Sequence, residues 1–167
     1  MLNEDYKDML QSLQKEGVKF LLVGGYALAA HGHPRSTMDI DFWVMTSAEN
    51  AKAVMRALKR FGAPLQNVSE SDFETEGTIL QIGVIPRRID IITKIDGVRF
   101  EDAWPRAVSV ELDGCRIPVI SLEDLLANKC ASGRLKDLAD VATLEHTMGL
   151  VPAKKPAKRT AARKKQP

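Results

Sequence analysis

The spacing of hydrophobic residues in the first half of the chain alternates between helical and extended patterns. Apolar or aromatic residues at positions 6, 9, 10 and 13 recur at helical intervals and predict a helix that Gly17 ends. Short apolar runs around it predict strands, and the Gly24-Gly25 pair separates one such run from an Ala-rich segment. The first half therefore predicts helix, strand, helix, strand and helix, at residues 3–16, 18–23, 24–31, 39–44 and 47–61.

The second half predicts more strands, followed by two helices. The polar and acidic stretch 65–77 is expected to be irregular, and Asp113-Gly114 is a strong signal for a tight hairpin. Ser121 with Asp124 resembles a capping box at the start of a helix. We expect strands at 78–84, 88–93, 108–112 and 116–120 and helices at 121–132 and 134–148. In the last helix the positions expected to face inward are Leu135, Leu138, Val141, Ala142 and Leu144.

This order of elements predicts an α/β (α+β) fold with a mixed central sheet flanked by helices and a C-terminal helical pair. With 167 residues and 44% hydrophobic content, the chain is long enough for one domain with a real core. We place that domain at residues 1–150. The Lys-, Arg-, Ala- and Pro-rich residues 151–167 are expected to form a disordered basic tail, since they offer too little apolar surface to bury.

Charge is distributed unevenly between these two parts. Residues 154–167 hold seven Lys or Arg and no acid, which leaves 17 basic residues against 22 acidic ones in the rest of the chain. The tail could serve as an arm that binds RNA or DNA in a salt-dependent way, or as a solubilising end without a specific partner. Its composition favours no particular base sequence.

Several classes of protein are disfavoured by composition. Aromatic residues make up only 5% of the chain, too few for the stacking arrays of single-strand binders. No apolar run approaches the length of a membrane span, and the acidic, polar N-terminus lacks the features of a signal peptide. Cys115 and Cys130 have no metal-ligand spacing, so we expect free, buried thiols in a reducing cytoplasm.

The candidate chemistry begins with two aspartates in the strand DIDFWV. Asp39 and Asp41 are two positions apart, so in a strand both carboxylates point to one face of the sheet. Asp90 lies among three isoleucines in a later strand, where an aspartate is costly to bury without a partner or a metal. Oxygen ligands of this kind suit Mg²⁺ together with substrate phosphates. The alternative is that these acids sit at strand ends and cap turns or pair with Arg.

Residues before Asp39 add candidates for phosphate binding. Gly24-Gly25 follows a strand and opens a helix, where backbone amides can approach a phosphate, although the pair is also compatible with a simple tight turn. Arg35 could contact phosphate with two hydrogen bonds or form an ordinary ion pair. Thr37 or Ser36 could donate to phosphate or brace the carboxylates. We expect His31 and His33 to have surface or supporting roles.

The combination of Gly24-Gly25, thirteen intervening residues, Asp39-x-Asp41 and a later strand aspartate, Asp90, resembles the nucleotidyltransferase superfamily typified by DNA polymerase beta. The resemblance covers about residues 18–93. It implies that Asp39, Asp41 and Asp90 are catalytic carboxylates that bind two Mg²⁺ ions, with Mn²⁺ as an alternative ion, and that Gly24 and Gly25 contact a nucleoside triphosphate.

A second stretch narrows this resemblance. Lys129 followed by Arg134-x-Lys136-Asp137-x-x-Asp140 resembles the AbiEii-type branch, bacterial nucleotidyltransferases that include toxin components of toxin–antitoxin systems. The resemblance implies that Lys129 and Lys136 touch the triphosphate and that Asp137 and Asp140 order the site or assist catalysis. Read without it, the segment would be an ordinary solvated helix start.

Together these features predict a cytoplasmic, metal-dependent transferase that moves a nucleoside monophosphate from a nucleoside triphosphate to RNA (a tRNA end, for example), protein or a small molecule. A cognate antitoxin or toxin protein is an expected partner, and a membrane is not. The main alternative is a non-catalytic binding module of the same fold that binds a partner protein or nucleic acid. A weaker alternative is an antibiotic-modifying enzyme whose acidic segment 69–76 faces a cationic substrate.

Overall fold

The computed structural model describes residues 2–150. This part of the chain contains seven α-helices, six strands and one short 3-10 helix at Trp104–Arg106. The helices are α1 (Glu4–Lys15), α2 (Gly24–Ala30), α3 (Ala48–Phe61), α4 (Glu70–Glu74), α5 (Phe100–Ala103), α6 (Leu122–Ser132) and α7 (Leu135–Thr147). The strands are β1 (Phe20–Val23), β2 (Asp39–Val44), β3 (Ile79–Ile82), β4 (Arg88–Ile92), β5 (Val108–Leu112) and β6 (Cys115–Val119).

The six strands form one mixed sheet in the order β3-β4-β2-β1-β6-β5. Strand β2 runs parallel to β4 and antiparallel to β1, and β1 runs parallel to β6. The two edge strands, β3 and β5, pair antiparallel with β4 and β6. The predicted mixed central sheet is therefore confirmed, and so is the pair of C-terminal helices.

Three core residues of β2 lie on the face opposite to its aspartates. Ile40, Phe42 and Val44 alternate with Asp39 and Asp41 and are at most 1% exposed. They belong to one hydrophobic cluster that includes buried residues of α1 and α3, and these two helices pack against each other. Burial of one face of β2 thus fixes the register that points both aspartates to the other face.

Local sequence signals account for most element boundaries. The side chains of Asn3, Ser47 and Ser121 each accept a hydrogen bond from a backbone amide in the first turn of α1, α3 and α6. At the hairpin between β5 and β6, Asp113 and Gly114 have φ angles of 50° and 77°, as a two-residue turn of this kind requires.

Other expectations were wrong or incomplete. Residues Glu70–Glu74 form a short helix because Ser69 and Asp72 make a capping box, a signal missed within the acidic stretch. At α6 the box is incomplete, since the Asp124 carboxylate accepts from the Ser121 hydroxyl and from Arg106 rather than from the Ser121 amide.

The inward face predicted for the last helix was largely wrong. Leu135 is 88% and Leu138 47% exposed, Ala142 is exposed and Val141 is half-buried, while Leu144 alone of the five is buried. Helix α7 instead buries Asp137, which forms salt bridges with α6 and the start of α7. Polar contacts here outweighed the apolar periodicity that the prediction used.

The two cysteines are free thiols, but only partly as expected, because Cys115 is half-buried and Cys130 is exposed. Within residues 2–150, we find no helix that combines the length and apolar character needed to cross a membrane. The predicted tail at 151–167 lies outside the described residues, and the division of the chain at residue 150 stays a prediction.

Candidate active site

Three aspartates on two neighbouring strands form the centre of the site. Strands β2 and β4 are parallel neighbours, and their register sets Asp41 beside Asp90 and Asp39 beside Arg88. Because side chains alternate along a strand, all four point to the same face. One carboxylate oxygen from each of Asp39, Asp41 and Asp90 lies within 4.8 Å of the other two.

Arg88 is the counterion of this acidic triad. Its Nη2 donates to Asp39 Oδ2 at 2.7 Å and to Asp90 Oδ2 at 3.0 Å, and its Nε donates to Asp90 Oδ1 at 2.8 Å. Sequence reasoning missed this residue. The signal was available, since Arg88 lies two positions before Asp90 in the same strand and must share its face.

Asp41 is the least compensated member of the triad. No described residue donates a hydrogen bond to its carboxylate, whereas Arg88 serves both neighbours. Burial raises the pKa of Asp41 to about 7, with further contributions from the negative charges of Asp39 and Asp90. Lys136 and Arg88 act in the opposite direction without cancelling the rise. Three carboxylates with one shared cation leave a net negative charge that a divalent cation would neutralise.

The glycine turn lies directly against the triad. Gly24 has a φ angle of 69°, and a Cβ at this position would overlap the Asp41 carboxylate. At Gly25 a Cβ would lie 2.8 Å from Thr37 Oγ1, which is too close for any side chain. Both glycines are therefore required by the close approach of the β1–α2 turn to the carboxylates.

Thr37 and Arg35, both predicted to bind nucleotide, make contacts within the protein. The Thr37 hydroxyl donates to Asp39 Oδ1 at 3.0 Å. This hydrogen bond braces the carboxylate, which is one of the two alternative roles predicted for Thr37. Arg35 Nη1 lies 3.5 Å from Asp140 Oδ1 and so ties the loop before β2 to helix α7. Their contacts with a nucleotide stay predictions.

A second ionic cluster joins α6 to α7. Lys129 is only 3% exposed, and its Nζ lies 2.7 Å from Asp140 Oδ2 and 3.1 Å from Asp137 Oδ1. This geometry gives Lys129 a bracing role, and its predicted contact with a triphosphate stays a prediction.

Asp137 is fully compensated within this cluster. Burial alone would raise its pKa, but hydrogen bonds from Ser132 at 2.6 Å, Arg134 at 2.6 Å and Lys129 outweigh that effect and lower the pKa to about 2. Asp137 is therefore an ionised structural anchor for the start of α7, and its role in ordering the site or assisting catalysis stays a prediction.

One cavity of about 470 Å³ brings the predicted residues together. All ten candidates line it: Gly24, Gly25, Arg35, Thr37, Asp39, Asp41, Asp90, Lys129, Lys136 and Asp137. Sequence reasoning missed several further lining residues, among them Ile79, Gln81, Arg88, Asn128 and Ser132. His31 lies elsewhere and its Nε2 contacts the Ile120 carbonyl at 2.7 Å.

The cavity combines an acidic triad on two paired strands, a glycine turn and basic side chains. Together these groups suit a reaction at a phosphate. Comparison with protein families agrees, because the family "Nucleotidyl transferase AbiEii toxin, Type IV TA system" matches residues 8–166. The chain belongs to this AbiEii family. It is a nucleotidyltransferase, and the resemblance seen in the sequence is confirmed.

A solved structure agrees at the level of the fold. A crystal structure of a candidate nucleotidyltransferase from Thermotoga maritima has a TM-score of 0.54 to this chain. The two sequences are 20% identical, and the match covers 90% of this chain and 97% of the Thermotoga maritima chain. An antigenic nucleotidyltransferase-like protein from Paracoccidioides brasiliensis is 18% identical over 89% of this chain and 75% of its own, with a TM-score of 0.49. No curated protein matches the sequence.

Proposed function

We propose that this AbiEii-family protein is a metal-dependent enzyme that transfers a nucleoside monophosphate from a nucleoside triphosphate to an acceptor hydroxyl, as the toxin of a toxin–antitoxin pair. The observation that carries the proposal is the acidic triad, whose three carboxylate oxygens lie within 4.8 Å of one another beside a glycine turn. The acceptor is RNA (a tRNA end, for example), protein or a small molecule. The cognate antitoxin is the protein partner that the family suggests.

The donor set of the triad fits a divalent metal. Asp39, Asp41 and Asp90 offer hard oxygen ligands from two rigid strands, and Arg88 neutralises only one of their charges. Two Mg²⁺ ions, or Mn²⁺, held by these residues would activate the acceptor hydroxyl and neutralise charge on the phosphates.

The remaining groups of the cavity have distinct tasks in this reaction. The triphosphate lies on the side of the Gly24-Gly25 turn, where Lys136 at the start of α7 adds positive charge. The acceptor oxygen bonds to the α-phosphorus, the bond from that phosphorus to the bridging oxygen breaks, and pyrophosphate leaves. Asp90, on the acceptor side, receives the proton of the hydroxyl.

A transfer assay tests the proposal. The wild-type protein is incubated with Mg²⁺ and each of the four α-³²P-labelled nucleoside triphosphates, using bulk tRNA, casein and uridine as acceptors of three classes. Label is expected in at least one acceptor and is expected to disappear in Asp39→Asn. Glu111→Gln is the matched control, because it makes the same change of charge at an exposed position of β5 outside the cavity. Absence of label from every acceptor, or equal transfer by Asp39→Asn, would contradict the proposal.

A further inference from the structure

The cavity around the triad has two sides of different chemical character. The sheet order β3-β4-β2-β1 places the carboxylates of β2 and β4 in the middle, with the turn after β1 on one side and edge strand β3 on the other. The first side carries the glycine turn, which packs against Thr37. Nearby Arg35 contacts Asp140 of α7, the helix whose start carries Arg134 and Lys136. The β3 side presents Ile79, Gln81 and Ile92.

Strand register places these three residues on the face of the triad. Gln81 is the direct neighbour of Asp90, and Ile79 is the neighbour of Ile92. Since Ile92 lies two positions after Asp90, alternation along the strands puts Ile79, Gln81 and Ile92 on the same face as Asp90. We call these three residues the β3 shelf.

The β3 shelf is accessible. Ile79 is 64% exposed, Gln81 is exposed and Ile92 is half-buried. The paired isoleucines, Ile79 and Ile92, give an apolar platform two positions along the strands from Gln81 and Asp90. The amide of Gln81 can both donate and accept hydrogen bonds. Such a surface suits an uncharged group better than a phosphate.

Charge near the β3 shelf supports this assignment. Lys94, which follows β4 and also lines the cavity, has its ammonium 3.6 Å from Glu76 Oε2, so a carboxylate already offsets its charge. The β3 side therefore offers little attraction for a triphosphate. On the opposite side Arg35 and Arg134 already have carboxylate partners, Asp140 and Asp137, but Lys136 forms no salt bridge within residues 2–150.

The geometry of the reaction then determines on which side of the cavity each of the two substrates binds. In an in-line displacement the attacking oxygen and the leaving pyrophosphate are on opposite sides of the α-phosphorus. A triphosphate on the basic side directs its pyrophosphate away from β3, so the attacking hydroxyl comes from the β3 side. We propose that Ile79, Gln81 and Ile92 form the acceptor subsite and bind the uncharged, hydroxyl-bearing end of the acceptor. This inference rests on the proposed function and adds which residues select the acceptor.

Space for the rest of an acceptor continues from the β3 shelf. A second cavity of about 610 Å³ shares Lys94 and Ile95 with the first one. It extends from the ends of β2 and β4 towards α5 and α6, where Arg99 and Arg106 lie at its wall. An acceptor larger than a single ring can therefore extend beyond the β3 shelf without leaving the surface of the protein.

Two variants of the full chain test the acceptor subsite. Ile79→Ser removes the platform and Gln81→Ala removes the amide, and both positions are exposed, so the fold should tolerate them. Val84→Ser is the matched control, because it changes an aliphatic residue that is 79% exposed in the next loop and does not line the cavity. Each is assayed for the KM of bulk tRNA, casein and uridine and for binding of a fluorescent nucleoside triphosphate without acceptor.

The expected result is an acceptor KM at least about fivefold higher in Ile79→Ser and Gln81→Ala, with nucleotide affinity within twofold of the wild type. Val84→Ser should match the wild type in both measurements. Weaker nucleotide binding with an unchanged acceptor KM would overturn the inference and place the nucleobase on the β3 shelf. An unchanged acceptor KM in both variants would also overturn it. A wild type that labels no acceptor defeats the proposed function itself, which separates the two failures.

Discussion

Two clusters of carboxylates line one cavity, yet they differ in how their charge is compensated. Around Asp137, hydrogen bonds from a lysine, an arginine and a serine lower the pKa to about 2. Around Asp41, burial and two neighbouring carboxylates raise the pKa to about 7, and Lys136 and Arg88 only partly offset the three acids. The comparison separates a structural anchor, whose charges balance within the protein, from the proposed catalytic centre, which is left with excess negative charge.

The largest expected effect is a loss of kcat when a carboxylate of the acidic triad is replaced. Asp41→Asn removes one oxygen ligand and one charge from the triad, and loss of several kcal/mol of charge stabilisation corresponds to a kcat at least about 1000-fold lower. The measurement is initial-rate transfer of α-³²P label at saturating nucleotide. Asp41→Asn transferring label at a rate close to that of Glu111→Gln would remove the triad from the catalytic account.

Stability of the compensated cluster should depend on its carboxylate. Asp137→Asn leaves the buried Lys129 ammonium with Asp140 as its remaining acidic partner, and breaking a buried ion pair of this kind costs about 3 kcal/mol. We expect urea denaturation to show a free energy of unfolding lower by about that amount. Glu145→Gln, at a half-buried position later in α7, is the control and should change stability little. A stable Asp137→Asn would mean that this cluster does not anchor α7.

The same chemical change should have the opposite effect on stability in the triad. Without metal at pH 8, Asp41→Asn removes an ionised carboxylate that burial and its neighbours disfavour. Because Asp41 is partly exposed, we expect a gain of only about 1 kcal/mol in the free energy of unfolding. Thermal unfolding in the presence of a chelator measures it, and a lower melting temperature than that of the wild type would contradict the assigned charge imbalance.

The contributions of Asp41 and Asp137 to stability should also change with pH in opposite directions. This effect is smaller than those of the substitutions above. The folded-state pKa of Asp41, about 7, lies above its usual 3.8, so its contribution makes the metal-free protein less stable as pH rises from about 4 to 7. The folded-state pKa of Asp137, about 2, lies below 3.8, so its stabilisation is present above pH 4 and is lost as pH falls through 2.

Differences between variants and wild type isolate these contributions. Asp41→Asn should flatten the decline in stability between pH 4 and 7, and Asp137→Asn should reduce the loss below pH 4. Denaturant titrations at each pH provide the curves. Parallel curves for wild type and both variants would show that neither group titrates as the structure indicates.

The triad was predictable because strand periodicity and burial determine it. Alternation in DIDFWV separates three core residues from two aspartates, and the apolar neighbours of Asp90 mark a second strand of the same sheet. Arg88 obeys the same rule, because it lies two positions before Asp90 and shares its face, so the sequence also contained the signal for this residue. The three-dimensional register that sets Asp41 beside Asp90 needed the structure.

The packing of helices α6 and α7 was less predictable, because ion pairs between residues distant in the sequence determine which side chains are buried. Apolar periodicity suggested that Leu135 and Leu138 face inward, but the buried position in that turn belongs to Asp137. Its partner Lys129 lies eight positions away in another helix, and no local pattern reveals that the lysine is buried. The β3 shelf was missed for a related reason, since its relation to Asp90 depends on the pairing of β3 with β4.

Metal binding by the triad is the central claim, and a Mn²⁺ titration followed by electron paramagnetic resonance tests it most directly. With nucleotide present and no acceptor, the wild type and Glu111→Gln should bind Mn²⁺ equally, while Asp39→Asn and Asp41→Asn should bind at least about tenfold more weakly. Asp137→Asn should retain wild-type binding under conditions where it is folded. Equal Mn²⁺ affinity in the wild type and both triad variants would contradict the account.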